Sequence, residues 1–301
     1  MHDHHDHEHH DVRDGNKKGL AIAFGITFGI MLLEFFGGLF TNSLALLADS
    51  GHMLSDAGSL ALSFVAIWFA SRAATKRKTY GYHRFEILAA LFNGVTLFVI
   101  AGIIVYQAYG RFFEPQSVAS GSMILIAFIG LAANLLSAWF LIQKGDVKDN
   151  VNLRSAYLHV LGDALGSVGA IIAGIIMYVF GWYMADPIIS VLVSLLILKG
   201  AWGIIKQSVH VLMEGTPLRV NQQQVKNRLE SINGVVDVHD LHIWTITSNL
   251  DVLTCHLRVE DGVDEQQILQ EAVDRIEQQF NIVHTTIQIE SARLTHEPLP
   301  V

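Results

Sequence analysis

The sequence contains six apolar blocks separated by short polar or charged breaks. Each is about 20 residues or longer, which is the length a helix needs to cross a hydrocarbon core of roughly 30 Å. The blocks therefore predict an all-α membrane domain of six helices within residues 17–210. The predicted helices span residues 19–40, 44–71, 85–112, 122–142, 153–180 and 187–205.

Composition supports a membrane protein, because 51% of the residues are hydrophobic and only 16% are charged. Cys255 is the single cysteine, which excludes a disulfide framework or a multi-cysteine metal cluster within the chain. The formal net charge of −8 lies mainly outside the apolar blocks and indicates no nucleic-acid partner. The N-terminus lacks the pattern of a signal peptide, so we expect the first helix to direct insertion into the lipid bilayer.

Positive charge alternates along the connections between the blocks. Basic groups precede the first block and follow the second and fourth, whereas the other connections carry almost none. Because cytoplasmic loops of membrane proteins are enriched in Lys and Arg, this alternation predicts that both termini are cytoplasmic. The basic residues are Lys17 and Lys18, then Lys76, Arg77 and Lys78, then Lys144, Lys148 and Arg154.

After Pro217 the sequence becomes polar, and its periodicity predicts a small α+β domain within residues 211–301. We expect helices at 222–232 and 264–280 and strands at 235–246, 251–259 and 285–291. The alternation in the second strand is typical of a sheet with one packed and one wet face. A domain of under about 100 residues is marginally stable alone, which favours dimerisation through it.

The second and fifth blocks carry the same His-x-x-x-Asp motif, His52 to Asp56 and His159 to Asp163. Residues four apart lie on one face of a helix, about 6 Å apart along its axis. Two imidazoles and two carboxylates can form a tetrahedral zinc site, whereas magnesium and calcium prefer oxygen ligands alone. We predict that these four residues bind a divalent transition metal, with zinc the best candidate.

The alternative is that the motif residues only form hydrogen bonds between helices. Each carboxylate in a membrane helix costs roughly 2.5 to 3.5 kcal/mol on insertion scales, so a purely structural pair of motifs is an expensive solution. Asp49 lies on nearly the same helical face as Asp56, which suits an approach path for the ion or a structural role equally well. Four further polar groups in the blocks are typical contacts between helices: Glu34, Asn93, Gln107 and Asn134.

Four segments together resemble the cation diffusion facilitator family of bacterial zinc exporters, which are also similar to vesicular zinc transporters. They are residues 44–56, which end in His-Met-Leu-Ser-Asp, residues 80–86 (Tyr-Gly-Tyr-His-Arg-Phe-Glu), the motif at 159–163, and residues 238–244 (Val-His-Asp-Leu-His-Ile-Trp). The resemblance covers nearly the whole chain.

The resemblance implies a homodimer with a ferredoxin-like cytoplasmic domain, located in the plasma (inner) membrane of a bacterium. It also implies exchange of zinc for protons by alternating access. Whether cadmium or cobalt is moved as well stays open at the level of sequence. His52, where other members have Asp, is similar to members that favour zinc over cadmium. Exchange fits the chemistry, because imidazoles and carboxylates bind metal only when they are deprotonated.

Further histidines lie outside the membrane blocks. Residues 1–16 begin with a segment that holds six of the 15 histidines, and we expect this tail to be disordered and to collect metal weakly. By resemblance, His83 joins a metal site in the loop before the third helix. The resemblance also implies a regulatory Zn²⁺ site in the C-terminal domain. Its candidate ligands on adjacent predicted strands are His239 and His256, then His284, which is displaced by about one position from the expected pattern, and the weaker candidates Glu290 and His242.

Other function classes are disfavoured by missing motifs. The chain has no Gly-x-x-x-x-Gly-Lys-Ser loop for an ATP-driven pump and no His-Glu-x-x-His motif for a zinc protease, so we expect no enzyme activity. Two alternatives remain open. A passive metal channel would conduct independently of a proton gradient, and a membrane metal sensor would bind metal without moving it.

Overall fold

The computed structural model describes residues 6–70, 74–144, 151–247 and 250–291. Within these ranges the side chains of residues 6–23, 56, 59–67, 70, 144 and 151–156 are not described. The described chain contains a helical membrane domain followed by an α+β domain, which confirms the predicted fold class.

The membrane domain contains six long helices: α1 (Asp6–Thr41), α2 (Leu44–Ala70), α3 (Phe85–Phe113), α4 (Ser120–Lys144), α5 (Val151–Phe180) and α6 (Ala185–Leu212). In the described part of the chain, five of them contain a segment long and apolar enough to cross a membrane, namely α1, α3, α4, α5 and α6. Much of the α2 side-chain structure lies outside the described residues. All six helices were predicted, with bounds that differ by one or two residues except at the start of α1 and at the end of α6, which extends to Leu212 rather than to residue 205.

The beginning of α1 differs from the sequence prediction. The helix starts at Asp6 and so includes most of the segment predicted as a disordered tail, while residues 1–5 lie outside the described residues. Once a helix has nucleated, each added residue gains a hydrogen bond, so a stable apolar helix extends readily into a polar flank.

The connection between α1 and α2 is a two-residue turn held by α6. Asn42 has a φ of 58°, a left-handed conformation that Asn tolerates well, and Ser43 precedes the first turn of α2. The buried carboxylate of Asp186 accepts hydrogen bonds from the Ser43 hydroxyl at 2.6 Å and from the backbone N–H of Leu44 at 2.9 Å. Asp186 thus satisfies N–H groups that a helix leaves unpaired at its N-terminus.

The chain divides into two compact units, and the first consists of Met1–Ala61 and Phe92–Gly203. Small side chains let its helices approach closely. Ala127 on α4 and Ala170 and Ala173 on α5 are almost fully buried, beside Met123 and Met177. Close packing of small residues is the usual way in which membrane helices associate, because lipid supplies no hydrophobic drive between them.

The second unit consists of Leu62–Leu91 and Ile204–Val301 and includes the α+β domain. The domain contains α7 (Gln222–Glu230), β1 (Val235–Thr247), β2 (Leu250–Val259), α8 (Glu265–Phe280) and β3 (His284–Ser291). Strand β2 pairs with β1 antiparallel and with β3 parallel. This order of elements is the ferredoxin-like order without its first strand.

One face of the sheet packs against both helices of the domain. Leu253, Cys255 and Leu257 alternate along β2 and are buried with Leu229 of α7 and Ile276 of α8. The intervening β2 side chains, which include His256, therefore lie on the opposite face. This alternation sorts the domain into an apolar core and a polar sheet face.

Candidate metal centres

The two His-x-x-x-Asp motifs meet inside the first unit. His52 of α2 and His159 of α5 lie with their ring centroids 5.9 Å apart and their planes at 65°. Asp163, one turn after His159, is 2% exposed, and its Oδ2 lies 3.6 Å from Nε2 of His159. Each of the three residues offers a ligand atom within 4.8 Å of those of the other two.

The spacing of these atoms suits a transition metal after a small adjustment. Donors bound to zinc at about 2.0 to 2.2 Å in a tetrahedron lie roughly 3.3 to 3.6 Å from one another. Nε2 of His159 and Oδ2 of Asp163 already have this spacing, and side-chain rotation can bring the His52 donor, which lies within 4.8 Å of both residues' ligand atoms, to the same distance. Two imidazoles and a carboxylate favour zinc or a similar metal over calcium or magnesium.

Asp56 is the fourth predicted ligand. It lies in α2, one turn after His52 and on the same helical face. Its side chain is outside the described residues, so its role as a ligand stays a prediction. The turn that carries it is fixed by its neighbour, because the Ser55 hydroxyl donates a hydrogen bond of 2.9 Å to Oδ1 of Asn93 on α3. Asn93 thus makes the contact between helices that the sequence predicted.

Packing beside the motif holds α2 against three other helices, α1, α3 and α4. Met53, 1% exposed, is buried with Ile30 and Met31 of α1, and Ala57 and Ala133 pack against the same cluster. A Cβ at Gly51 would lie 3.2 Å from Ile100. These contacts give the His52 side chain a defined backbone position.

A second cluster lies on the polar face of the sheet in the second unit. His239 of β1 and His256 of β2 are direct partners in register, with ring centroids 5.3 Å apart. Glu290 of β3 is 1% exposed and reaches both, with Oε1 at 2.7 Å from Nδ1 of His256 and Oε2 at 3.3 Å from Nε2 of His239. The three residues offer ligand atoms within 4.8 Å of one another.

Three other predicted candidates are not part of either cluster. His284 is exposed at the first position of β3, opposite Val252 rather than opposite the two histidines. His242 pairs with Thr254 further along β1, and His83 is half-buried in the turn before α3. Cys255 is excluded as a ligand because it faces the apolar core, where burial raises its pKa to about 12.

Comparison with known proteins shows which family the chain belongs to. The sequence model of the cation efflux transmembrane domain matches residues 20–213, which is more than half of the chain. The chain belongs to the cation efflux family. The sequence model of the cation efflux protein cytoplasmic domain matches residues 217–292.

Cation efflux proteins of bacteria are similar over nearly the full length. The cadmium, cobalt and zinc/H(+)-K(+) antiporter of Bacillus velezensis is 45% identical over 97% of this chain and 94% of its own. The zinc transporter ZitB of Escherichia coli is 44% identical over 95% of this chain and 92% of its own. A solved structure, the metal-bound C-terminal domain of the CzcD transporter from Cuprividus metallidurans, is 36% identical. It covers 24% of this chain and 99% of that one, with a TM-score of 0.23.

The structure of this cation efflux protein also contains polar contacts that were not predicted. Oδ2 of Asp237 lies 3.1 Å from Nδ1 of His239, so a carboxylate orients that imidazole. The amide of Gln288 donates a hydrogen bond of 3.0 Å to Oε1 of Glu290. Asp237 lies two residues before His239 on a strand, and this spacing is the sequence signal that could have revealed it.

Proposed function

We propose that the chain is a secondary transporter that exports zinc from the cytoplasm in exchange for protons. His52, Asp56, His159 and Asp163 bind the ion during its passage. The observation that carries this proposal is the convergence of His52, His159 and Asp163 from two membrane helices, with their ligand atoms within 4.8 Å. No enzymatic activity is part of the proposal.

Coupling to protons follows from the ligands themselves. Metal and protons compete for the same imidazole nitrogens and carboxylate oxygens, so metal entry expels protons and protonation expels metal. A site open to the cytoplasm would load metal, and protonation from the opposite side would release it. The inward proton gradient then drives export.

The names of two relatives support zinc as cargo and extend the proposed set of transported metals. The Escherichia coli relative is a zinc transporter, and the Bacillus velezensis relative is an antiporter for cadmium, cobalt and zinc. We include cadmium and cobalt as further cargo of this chain, with zinc preferred because His52 and His159 supply two imidazoles.

The transporter lies in the inner membrane of a bacterium with both termini in the cytoplasm. The bacterial relatives support a location in the inner membrane, and the alternation of basic loops supports cytoplasmic termini. The orientation can be tested with single cysteines, introduced at Lys76 or at Ser117 in a Cys255→Ala background. An impermeant maleimide added to whole cells should label the cysteine at 117 and not the one at 76, and the reverse pattern would invert the topology.

Two chains associate through the C-terminal domain, and its histidine cluster binds Zn²⁺ as a regulatory ligand. The match to the cytoplasmic domain of cation efflux proteins supports this assembly, as do the exposed side chains of Val236 and Val283 in this small domain. His239, His256 and Glu290 support the regulatory site by their mutual distances. Light scattering of the purified protein in detergent should give the mass of two chains, and the mass of one would contradict the dimer.

The decisive experiment measures zinc flux in proteoliposomes with and without a pH gradient, beside Asp163→Asn as an isosteric variant. We expect flux that rises with the gradient and disappears in Asp163→Asn. Flux indifferent to the gradient would indicate a passive channel. Zinc binding without any flux would indicate a sensor.

A further inference from the structure

Two further carboxylates, Glu34 and Asp49, are buried in the first unit close to the transport site. Glu34 of α1 is 0% exposed and Asp49 of α2 is 4% exposed. Asp49 precedes His52 by three residues, so it lies about one helical turn from the transport site. It lies toward the end of α2 that follows the turn from α1, which is the outer end in the orientation proposed above.

Two glycines make room for these carboxylates. A Cβ at Gly166 of α5 would lie 2.5 Å from Oδ1 of Asp49, so any larger residue would displace that carboxylate. A Cβ at Gly130 of α4 would collide with Oε1 of Glu34 and would lie 3.3 Å from the hydroxyl of Ser167. The Ser167 hydroxyl donates a long hydrogen bond of 3.4 Å to Oε1 of Glu34.

Several buried polar atoms around this pair have no hydrogen-bond partner among the residues that the structure describes. They are Oε2 of Glu34, Oδ2 of Asp49 and both amide atoms of Asn134, which is 1% exposed. Asn134 lies one turn after Gly130 on the same buried face of α4, the face that meets Glu34. Buried polar groups nearly always have a partner, so this group indicates a ligand or water between the helices.

When the pair is ionised, its negative charge requires a positive partner. Within the described ranges, Glu34 and Asp49 have no ion pair with a basic side chain, and Asp163 adds electrostatic repulsion to both. Carboxylates in a membrane interior are normally paired or line an ion pathway. Two carboxylates match the charge of one divalent cation.

We propose that Glu34, Asp49 and Asn134 form a second station for the exported divalent cation, between the transport site and the outer end of the bundle. This inference rests on the transport function proposed above. The station offers oxygen donors only, from two carboxylates and an amide. Zinc binds more weakly to such a set than to one with two imidazoles, so the ion is held briefly and released outward.

The binding test uses the full-length protein in detergent and counts ⁶⁵Zn bound per chain at saturation. It compares the parent, Glu34→Gln/Asp49→Asn, Asp163→Asn, and the variant that carries all three changes. The Glu34/Asp49 variant should lose one equivalent of zinc, and the variant with all three changes should lose that equivalent together with the one lost in Asp163→Asn. Ser190→Ala is the matched control, because its buried hydroxyl bonds to the backbone of Asp186 and lies outside the station.

Each result of the zinc count either supports or overturns the second station. If the Glu34/Asp49 variant keeps the zinc equivalent that depends on Asp163, that variant is folded. An unchanged total zinc count in the folded variant would overturn the station. An unchanged zinc count with fewer protons exchanged per zinc would also overturn it and make the pair a proton carrier. If Asp163→Asn keeps its zinc and its flux, the proposed transport site fails, which is a separate result from the failure of the station.

A geometric test leaves the Glu34 and Asp49 side chains chemically unchanged. Gly166→Ala forces Asp49 to move, whereas a Cβ at Gly162, which is exposed on the same helix, meets no described atom within 4 Å. We expect Gly166→Ala to lower zinc flux by about tenfold and to remove the same zinc equivalent as the Glu34/Asp49 variant, with Gly162→Ala near the parent. Equal flux and equal zinc binding in the two alanine variants would contradict the station.

Discussion

Asp186, at the second position of α6, accepts a hydrogen bond of 2.6 Å from the hydroxyl of Ser43, at the start of α2. Arg111, near the end of α3, joins the same carboxylate at 3.2 Å and bonds the backbone oxygen of Asn42 at 2.7 Å. Three helices and the turn after α1 therefore meet at a single buried carboxylate. These contacts fix where α2 begins and hence the position of His52 along the axis of the helix bundle.

Asp186→Ala should destabilise the membrane domain. The change leaves the Arg111 charge and the first N–H groups of α2 without their partner, and breaking a buried charge pair typically costs about 3 to 5 kcal/mol. Thermal unfolding in detergent should show a clearly lower Tm. Ser190→Ala, which removes only a hydroxyl bonded to the Asp186 backbone, should cost about 1 kcal/mol. Equal Tm values for the two variants would show that the Asp186 side chain is dispensable.

His52→Asp should shift the cargo preference from zinc toward cadmium. A carboxylate can offer two oxygens and a wider cage, whereas an imidazole offers one nitrogen at a short distance. Competitive flux of the two metals in proteoliposomes should show a zinc-to-cadmium ratio lower by about tenfold. Asp163→Asn serves as the inactive control for both metals. A ratio that stays constant would mean that residue 52 does not set selectivity.

Glu290→Gln should abolish metal binding at the C-terminal cluster and leave the membrane site intact. Glu290 is the group that bridges His239 and His256, and an amide neither carries the charge nor binds zinc well. The ⁶⁵Zn count per chain should fall, while zinc flux at saturating metal should persist. His284→Ala is the control, since its side chain is exposed and outside the cluster. A similar loss in His284→Ala would contradict the ligand set.

Cys255 should be unreactive in the folded protein. Burial raises its pKa to about 12, and only the thiolate attacks a maleimide. Labelling at neutral pH should be negligible until denaturant is added. Because the folded pKa is raised above an unfolded value of about 8.5, this thiol stabilises the fold fully below that pH, and its contribution declines as pH rises toward 12. Rapid labelling of the native protein at pH 7 would contradict the buried position.

The two His-x-x-x-Asp motifs could be recognised in the sequence because they depend on local geometry. A spacing of four places His52 with Asp56, and His159 with Asp163, on one face of a helix whatever the tertiary structure. The helices themselves follow from long apolar runs, whereas the extension of α1 into its polar flank and that of α6 to Leu212 were missed.

The C-terminal cluster was harder to predict, because it depends on the register of β3. That strand pairs parallel to β2 after the crossover through α8, so no local pattern shows which β3 residue reaches the two histidines. The sequence pointed to both His284 and Glu290, and the structure brings Glu290 to His239 and His256. The Asp186 contacts were missed for the same reason, since three helix ends meet only after the bundle has formed.

The residues of the C-terminal cluster come from β1, β2 and β3. An ion bound by all of them would therefore cross-link every strand of the described sheet. The ion could not bind in that way to an unfolded chain. Melting of the domain would therefore depend on free metal, and the stabilisation would grow with the logarithm of metal concentration above the dissociation constant. The C-terminal domain would then be less stable in a cell with little free zinc than in a cell with abundant free zinc.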